Sequence, residues 1–131
     1  MKQYVALIGG ASGAVGTALA RELSLREEWK VYGFARRAPE IILEGVNYFQ
    51  LDLNDREKCI EGLSKLVDVT HVFYCGRATH AEQVLESSDD NLRLLDNLLN
   101  GIELAAENLS HVHLVQGGKY YSVHIGEFPT P

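Results

Sequence analysis

Cysteine is scarce in this chain: Cys59 and Cys75 are the only two in 131 residues. Their spacing fits neither a metal knuckle nor a disulfide framework, so they read as buried thiols of a cytosolic, cytoplasmic protein without disulfides. Basic patches are lacking as well. Lys and Arg number 12 against 18 Asp and Glu, a formal charge of -6, and apart from Arg36-Arg37 the basic residues are scattered. That balance argues against a nucleic-acid surface. No apolar run is long enough to cross a bilayer, and Met1 leads almost directly into a first strand without the apolar core of a signal segment, so neither membrane insertion nor export is expected. Internal repeats, low-complexity tracts and linkers are absent too. What remains is one expected domain over residues 1–131, long enough to bury roughly two-thirds of its unfolded surface.

The chain is organised around Ala6 to Gly16, an apolar run that breaks into glycines and then turns helical. Tyr4, Val5, Ala6, Leu7 and Ile8 form a continuous run suited to a parallel strand covered on both faces. Gly10, Gly13 and Gly16 follow at G-x-x-G-x-x-G spacing within Gly10-Ala11-Ser12-Gly13-Ala14-Val15-Gly16. Val15, Leu19 and Leu23 then recur every four residues, as one helix stripe does. A strand that turns at once into a helix needs residues tolerating positive φ, and a diphosphate that touches backbone needs residues without a Cβ. The first amide groups of the new helix face that anion. Dinucleotide binding is the reading these features favour over a glycine turn kept for packing.

The first helix is expected to run to about Glu28, with Trp29 to Ala35 as the second strand. An NAD-preferring site would place an acid just after that strand, about 20 residues past the glycine turn, for the ribose 2′-hydroxyl. No acid stands there. Arg36-Arg37 occupies the position, and a guanidinium pairs its donors with a phosphate dianion, so NADP(H) is favoured over NAD(H). The plainer alternative is a solvated turn ahead of Pro39.

Ala38 to Gly45 reads as a connection, Val46 to Leu51 as the third strand, and Asn54 as the start of a helix with Glu57 completing a capping box and Ile60, Leu63 and Leu66 as its stripe. Asp52 either accepts from an adenine amino group or simply ends the strand. Val69 to Gly76 is the fourth strand, closing in Cys75 and a small Gly76 of the kind a nearby ligand requires. His71 within it reads as a core or hydrogen-bonded histidine. After a polar loop a long helix starts near Ser87 or Ser88. Its apolar face runs through Leu92, Leu95, Leu99, Ile102, Ala106 and Leu109 and is broadened by Leu94, Leu98 and Ala105, wide enough to suit a second subunit as well as the core. His111 to Gln116 is the fifth strand, followed by Gly117-Gly118 and Lys119-Tyr120-Tyr121. His111 and His113 share a face, but with no third ligand in view a metal pair is disfavoured.

This order predicts an α/β fold, a Rossmann-type doubly wound parallel sheet with strands in the order 3-2-1-4-5. Ligands bind such sheets at the carboxyl edge beside the switch point. Gly10 to Gly16, Arg36-Arg37, Asp52, Cys75-Gly76 and Gln116 to Lys119 all fall there.

With these positions marked, the chain resembles the atypical short-chain dehydrogenase/reductase group of progesterone 5β-reductases and iridoid synthases. The matching pieces are the glycine turn at 10–16, Lys-Val-Tyr-Gly-Phe-Ala-Arg-Arg at 30–37, Asp52-Leu53, Val-Thr-His-Val-Phe-Tyr at 69–74 ending in Tyr74, and Gln-Gly-Gly-Lys-Tyr-Tyr at 116–121. The resemblance implies hydride delivery from NADPH to the β-carbon of an activated enone, or to a carbonyl, of a small-molecule substrate. A tyrosine hydroxyl stabilises the developing enolate oxygen, and Lys119 matches the family's catalytic lysine after strand five. The family's tyrosine lies in a later motif and has no counterpart here, although Tyr121 shares a face with Lys119 in an extended segment. The chain is therefore expected to be the cofactor-binding part of a longer reductase, inactive alone and ending after strand five. The bare strand-five edge, or the helix at 88–109, then suits a homodimer contact. A second function class, a non-catalytic NADP(H)-binding or redox-sensing module, needs no such tyrosine.

Overall fold

The computed structural model describes residues 3–75 and 88–115. Eight elements alternate along it: β1 (Tyr4–Gly9), α1 (Ala14–Ser24), β2 (Trp29–Ala35), β3 (Val46–Gln50), α2 (Arg56–Leu63), β4 (His71–Tyr74), α3 (Ser88–Ala105) and β5 (His111–Leu114). The five strands form one sheet in the order β3-β2-β1-β4-β5, and every neighbouring pair is parallel. This is the expected doubly wound topology, with its switch point between β1 and β4.

Alternation along the strands feeds two cores. Ala6, Ile8 and Val31 meet Ala20 and Leu23 of α1 on one face. Val5, Leu7, Phe34, Val72 and Tyr74 meet Cys59 and Leu63 of α2 and Leu94, Leu98 and Ile102 of α3 on the other. Central strands buried on both sides explain why β1 reads as an unbroken apolar run.

Several boundaries differ from expectation. The first helix ends at Ser24 instead of near Glu28, because Arg26 N–H bonds back to Leu23 O at 3.1 Å and Trp29 N–H to Arg26 O at 3.2 Å, a turn that returns the chain to the sheet. Its buried stripe is Gly16, Ala20 and Leu23, while Val15 is 52% exposed. Small residues on that stripe let α1 lie close against the turn. The cap of α2 is Asp55, whose Oδ1 accepts from Lys58 N–H at 3.1 Å; Asn54 instead bonds back to Asp52. β4 is shorter than the expected Val69 to Gly76, although Thr70 and Cys75 continue its pairing to Val5 O and Gly9 O. β5 stops at Leu114, and Gln116 lies outside the described residues. On α3 the buried line runs through Leu94, Leu98, Ile102 and Ala106, and Leu92 is 61% exposed. Asn97 and Gly101 are buried beside this line, and Leu95 and Leu109 pack against the same core, so the helix docks through positions spaced by three and four, shifted away from Leu92.

Candidate functional site

The glycine turn departs β1 through Gly10, whose φ of +77° is a left-handed conformation that side chains disfavour. Gly10 and Ala11 N–H both bond to Phe34 O at 3.0 Å, which ties the turn to the end of β2. Gly13 is the N-cap of α1 and brings no side-chain cap to the helix amides. Those amides and the positive end of the helix dipole are thus presented at the carboxyl edge of the sheet, as an anion-binding turn requires. Gly16 has a different role. A Cβ there would collide with the carbonyl of Gly10, so this glycine keeps α1 close to β1.

Beside the turn a cleft of about 360 Å³ opens at the ends of β1, β2, β3 and β4. Gly10, Ser12, Arg36, Arg37, Asp52, Leu53 and Tyr74 all line it, so seven expected site residues are brought together. Asp52 Oδ1 accepts from Asn54 N–H at 3.0 Å and from Asn54 Nδ2 at 2.9 Å. Those two bonds hold its carboxyl below the usual range, and the Arg36 guanidinium adds to the shift. Asp52 is therefore an anion that shapes the loop and faces the arginine end of the cleft.

Phe34, Ala35, Leu51, Asn54 and Leu94 line the cleft too, although the sequence marked none of them as site residues. Phe34, Leu51 and Leu94 carry no separate signal in the sequence because each is also a core residue. Leu94 belongs to the row that docks α3, and α3 is pinned beside the cleft by two polar contacts. Asn97 Nδ2, in a buried side chain, donates to Leu53 O at 2.7 Å, and Arg93 Nη2 donates to Asn54 Oδ1 at 3.1 Å. Gly9 was also unmarked. A Cβ on it would stand 2.9 Å from the Phe34 ring and 3.1 Å from that of Tyr74, so its lack of a side chain lets both rings close beneath the turn.

The remaining expectations divide. Gly13, Ala14 and Val15 sit exposed at the start of α1, next to the cleft but not in its wall. Cys75 is half-buried at the end of β4, outside the cleft lining, and burial pushes its thiol up. Cys59 is fully buried in the α2 core, where burial and then Asp55 and Asp52 push its thiol up to about 11; it is an inert packing group. Gly76, Gln116, Lys119, Tyr120 and Tyr121 lie outside the described residues. His71, His111 and His113 stack on one face of β4 and β5, but among the described residues no group of His, Cys, Asp or Glu is arranged to hold a metal ion. No helix among them is long and apolar enough to cross a membrane.

The pattern of the NAD dependent epimerase/dehydratase family matches residues 6–118. Among characterised proteins, the (S)-8-oxocitronellyl enol synthase of Catharanthus roseus is 39% identical over 123 residues, covering 89% of this chain and 30% of that protein. The 3-oxo-Delta(4,5)-steroid 5-beta-reductase of Arabidopsis thaliana is 43% identical over 126 residues, covering 91% and 32%. The chain spans about a third of the length of these curated relatives. A short chain dehydrogenase from Burkholderia cenocepacia, solved in complex with NADP, superposes with a TM-score of 0.63 at 20% identity, over 80% of this chain and 50% of that one. A short chain dehydrogenase family protein from Francisella tularensis gives 0.68 at 14%, over 91% and 53%. At such identities the likeness is one of fold.

Proposed function

The chain belongs to the NAD dependent epimerase/dehydratase family, and on that premise we propose that its cleft holds NADP(H) for a reductase acting on an activated C=C or carbonyl of a small molecule. The observation that carries the cofactor choice is the pair Arg36 and Arg37 in the cleft wall, at the end of β2 where an NAD site would place an acid. Two guanidinium groups supply the paired donors that a ribose 2′-phosphate accepts. The first-turn amides of α1, at Ala14 to Gly16, serve the diphosphate. Asp52 and Leu53 border the adenine, with Asn97 holding the Leu53 loop in place through its carbonyl.

NADP(H) supplies a hydride when bound. Lys119 is the residue of this chain that we assign to the reaction, by its match to the lysine of the resembling reductases; its ammonium favours the donating form of a tyrosine hydroxyl at the enolate oxygen. The names of both relatives fit carbonyl-conjugated chemistry, and one is itself a reductase of an enone steroid. We place the protein in the cytoplasm, in keeping with its two free thiols.

Oxidation of NADPH by the natural full-length protein, followed by absorbance with small enones, tests this reading. Turnover that falls at least about a hundredfold in Lys119→Ala is expected. Tight NADPH binding without turnover on any enone or carbonyl would instead favour the non-catalytic, redox-sensing alternative.

A further inference from the structure

Tyr74 ends β4 at the carboxyl edge of the sheet and lines the cleft together with Asp52, Leu53 and Leu94. Its side chain is only 7% exposed, and its hydroxyl is fully buried with no hydrogen-bond partner among the described residues. Tyr74 Oη is the one such side-chain atom found among them. A phenylalanine would fill the same space against Phe34 and Leu94 without stranding a polar atom, so the hydroxyl weakens the unliganded fold. The surroundings nevertheless make room for this ring: the missing Cβ of Gly9 is what admits it beside Phe34. A buried polar group without a partner among the described residues, in the wall of a cleft that also presents Arg36, Arg37 and Asp52, is matched to a ligand.

Resting on the cofactor reading above, we infer that the Tyr74 hydroxyl is a hydrogen-bonding group reserved for the adenosine half of the bound dinucleotide. The division of the cleft supports that half. Arg36 and Arg37 provide charge for the 2′-phosphate, and the glycine turn provides amides for the diphosphate. Tyr74 shares its part of the wall with the β3 loop and α3, where the neutral adenine and ribose belong. Burial pushes the phenol up to about 12, so it stays protonated and able to donate at neutral pH. A neutral donor of this kind strengthens binding of any adenosine nucleotide without distinguishing the 2′-phosphate.

Tyr74→Phe in the natural full-length protein tests the assignment, since it removes one atom and leaves the packing unchanged. Dissociation constants would be measured for NADPH, NADH and adenosine 2′,5′-bisphosphate, alongside thermal melts without nucleotide. The expected result is a common weakening for all three of roughly three- to tenfold, the range of one neutral hydrogen bond, with an unliganded melting midpoint no lower than that of the wild type. Unchanged affinities would overturn the inference. So would weakening confined to the two 2′-phosphorylated nucleotides, which would assign the hydroxyl to the phosphate, or a lowered unliganded midpoint, which would show that the hydroxyl serves the protein itself. Failure of the wild type to bind any of the three is a separate result, and it would overturn the cofactor reading and this inference together.

Discussion

His71 shows how one residue of β4 takes its chemistry from neighbouring strands. Its imidazole lies 4.9 Å from the Trp29 ring and stacks on His111 at 4.6 Å, with His113 at 6.5 Å. Thr70 Oγ1 lies 2.8 Å from its Nδ1 and accepts from Val5 N–H at 2.9 Å. Burial, followed by the charges of His111 and His113, lowers its pKa below 6.5. The folded state therefore binds this proton less readily than the unfolded chain. The stabilisation from neutral His71 is complete above about pH 6.5 and is lost as pH falls through that value toward the lower folded one. Thermal midpoints measured from pH 8 to 5.5 should hold steady at first and then decline below about 6.5, with a shallower decline in His71→Phe, which keeps the ring stack. A midpoint that does not change across that range would contradict this reading. The sequence indicated a core or hydrogen-bonded histidine here, but the imidazole stack depends on strand register and could not be read from it.

At the scale of elements, the strand-turn-helix of β1 and α1 was the most legible part of the chain, because glycine spacing and an apolar run state it locally. The division of labour among the glycines was not legible. Gly13 has an extended φ of −80° with ψ of 172°, and a Cβ on it would make only an ordinary contact, 3.5 Å from Gly10 O. A Cβ on Gly16 would meet backbone that cannot yield without moving α1. Gly16→Ala should therefore lower stability by about 1–3 kcal/mol, whereas Gly13→Ala should stay within about 0.5 kcal/mol and show its effect in weaker nucleotide binding. Urea denaturation and a nucleotide titration of both variants check the contrast, and equal stabilities would refute it. For α3 the leucine pattern overstated the buried face. Asn97 and Gly101, polar and minimal by sequence, are buried on the docked side, Asn97 bonding Leu53 O and Gly101 lying against Cys59 of α2. Only the tertiary arrangement reveals that those residues, more than the extra leucines, place the helix beside the cleft.

For the whole molecule, the order of elements was enough to give the sheet, since right-handed crossovers leave few ways to thread five parallel strands. The site was legible where it follows from that topology, at strand ends, and less so where core residues double as cleft walls, as Phe34, Leu51 and Leu94 do. β5 is exposed along its length, including Val112 at 42% and Leu114 at 47%, in contrast with the buried centre of the sheet, and among the described residues it is an outermost strand. At the carboxyl edge one cleft is lined by Gly10 and Ser12 of the glycine turn together with Arg36 and Arg37. The central claim is that this cleft selects the 2′-phosphate. Its most direct test is the ratio of NADPH to NADH dissociation constants, measured for the wild type and for the double variant Arg36→Ala, Arg37→Ala. NADPH is predicted to bind at least about tenfold more tightly than NADH to the wild type, with the ratio collapsing toward one in the double variant. Equal affinities in the wild type, or equal losses for both nucleotides in the variant, would contradict it.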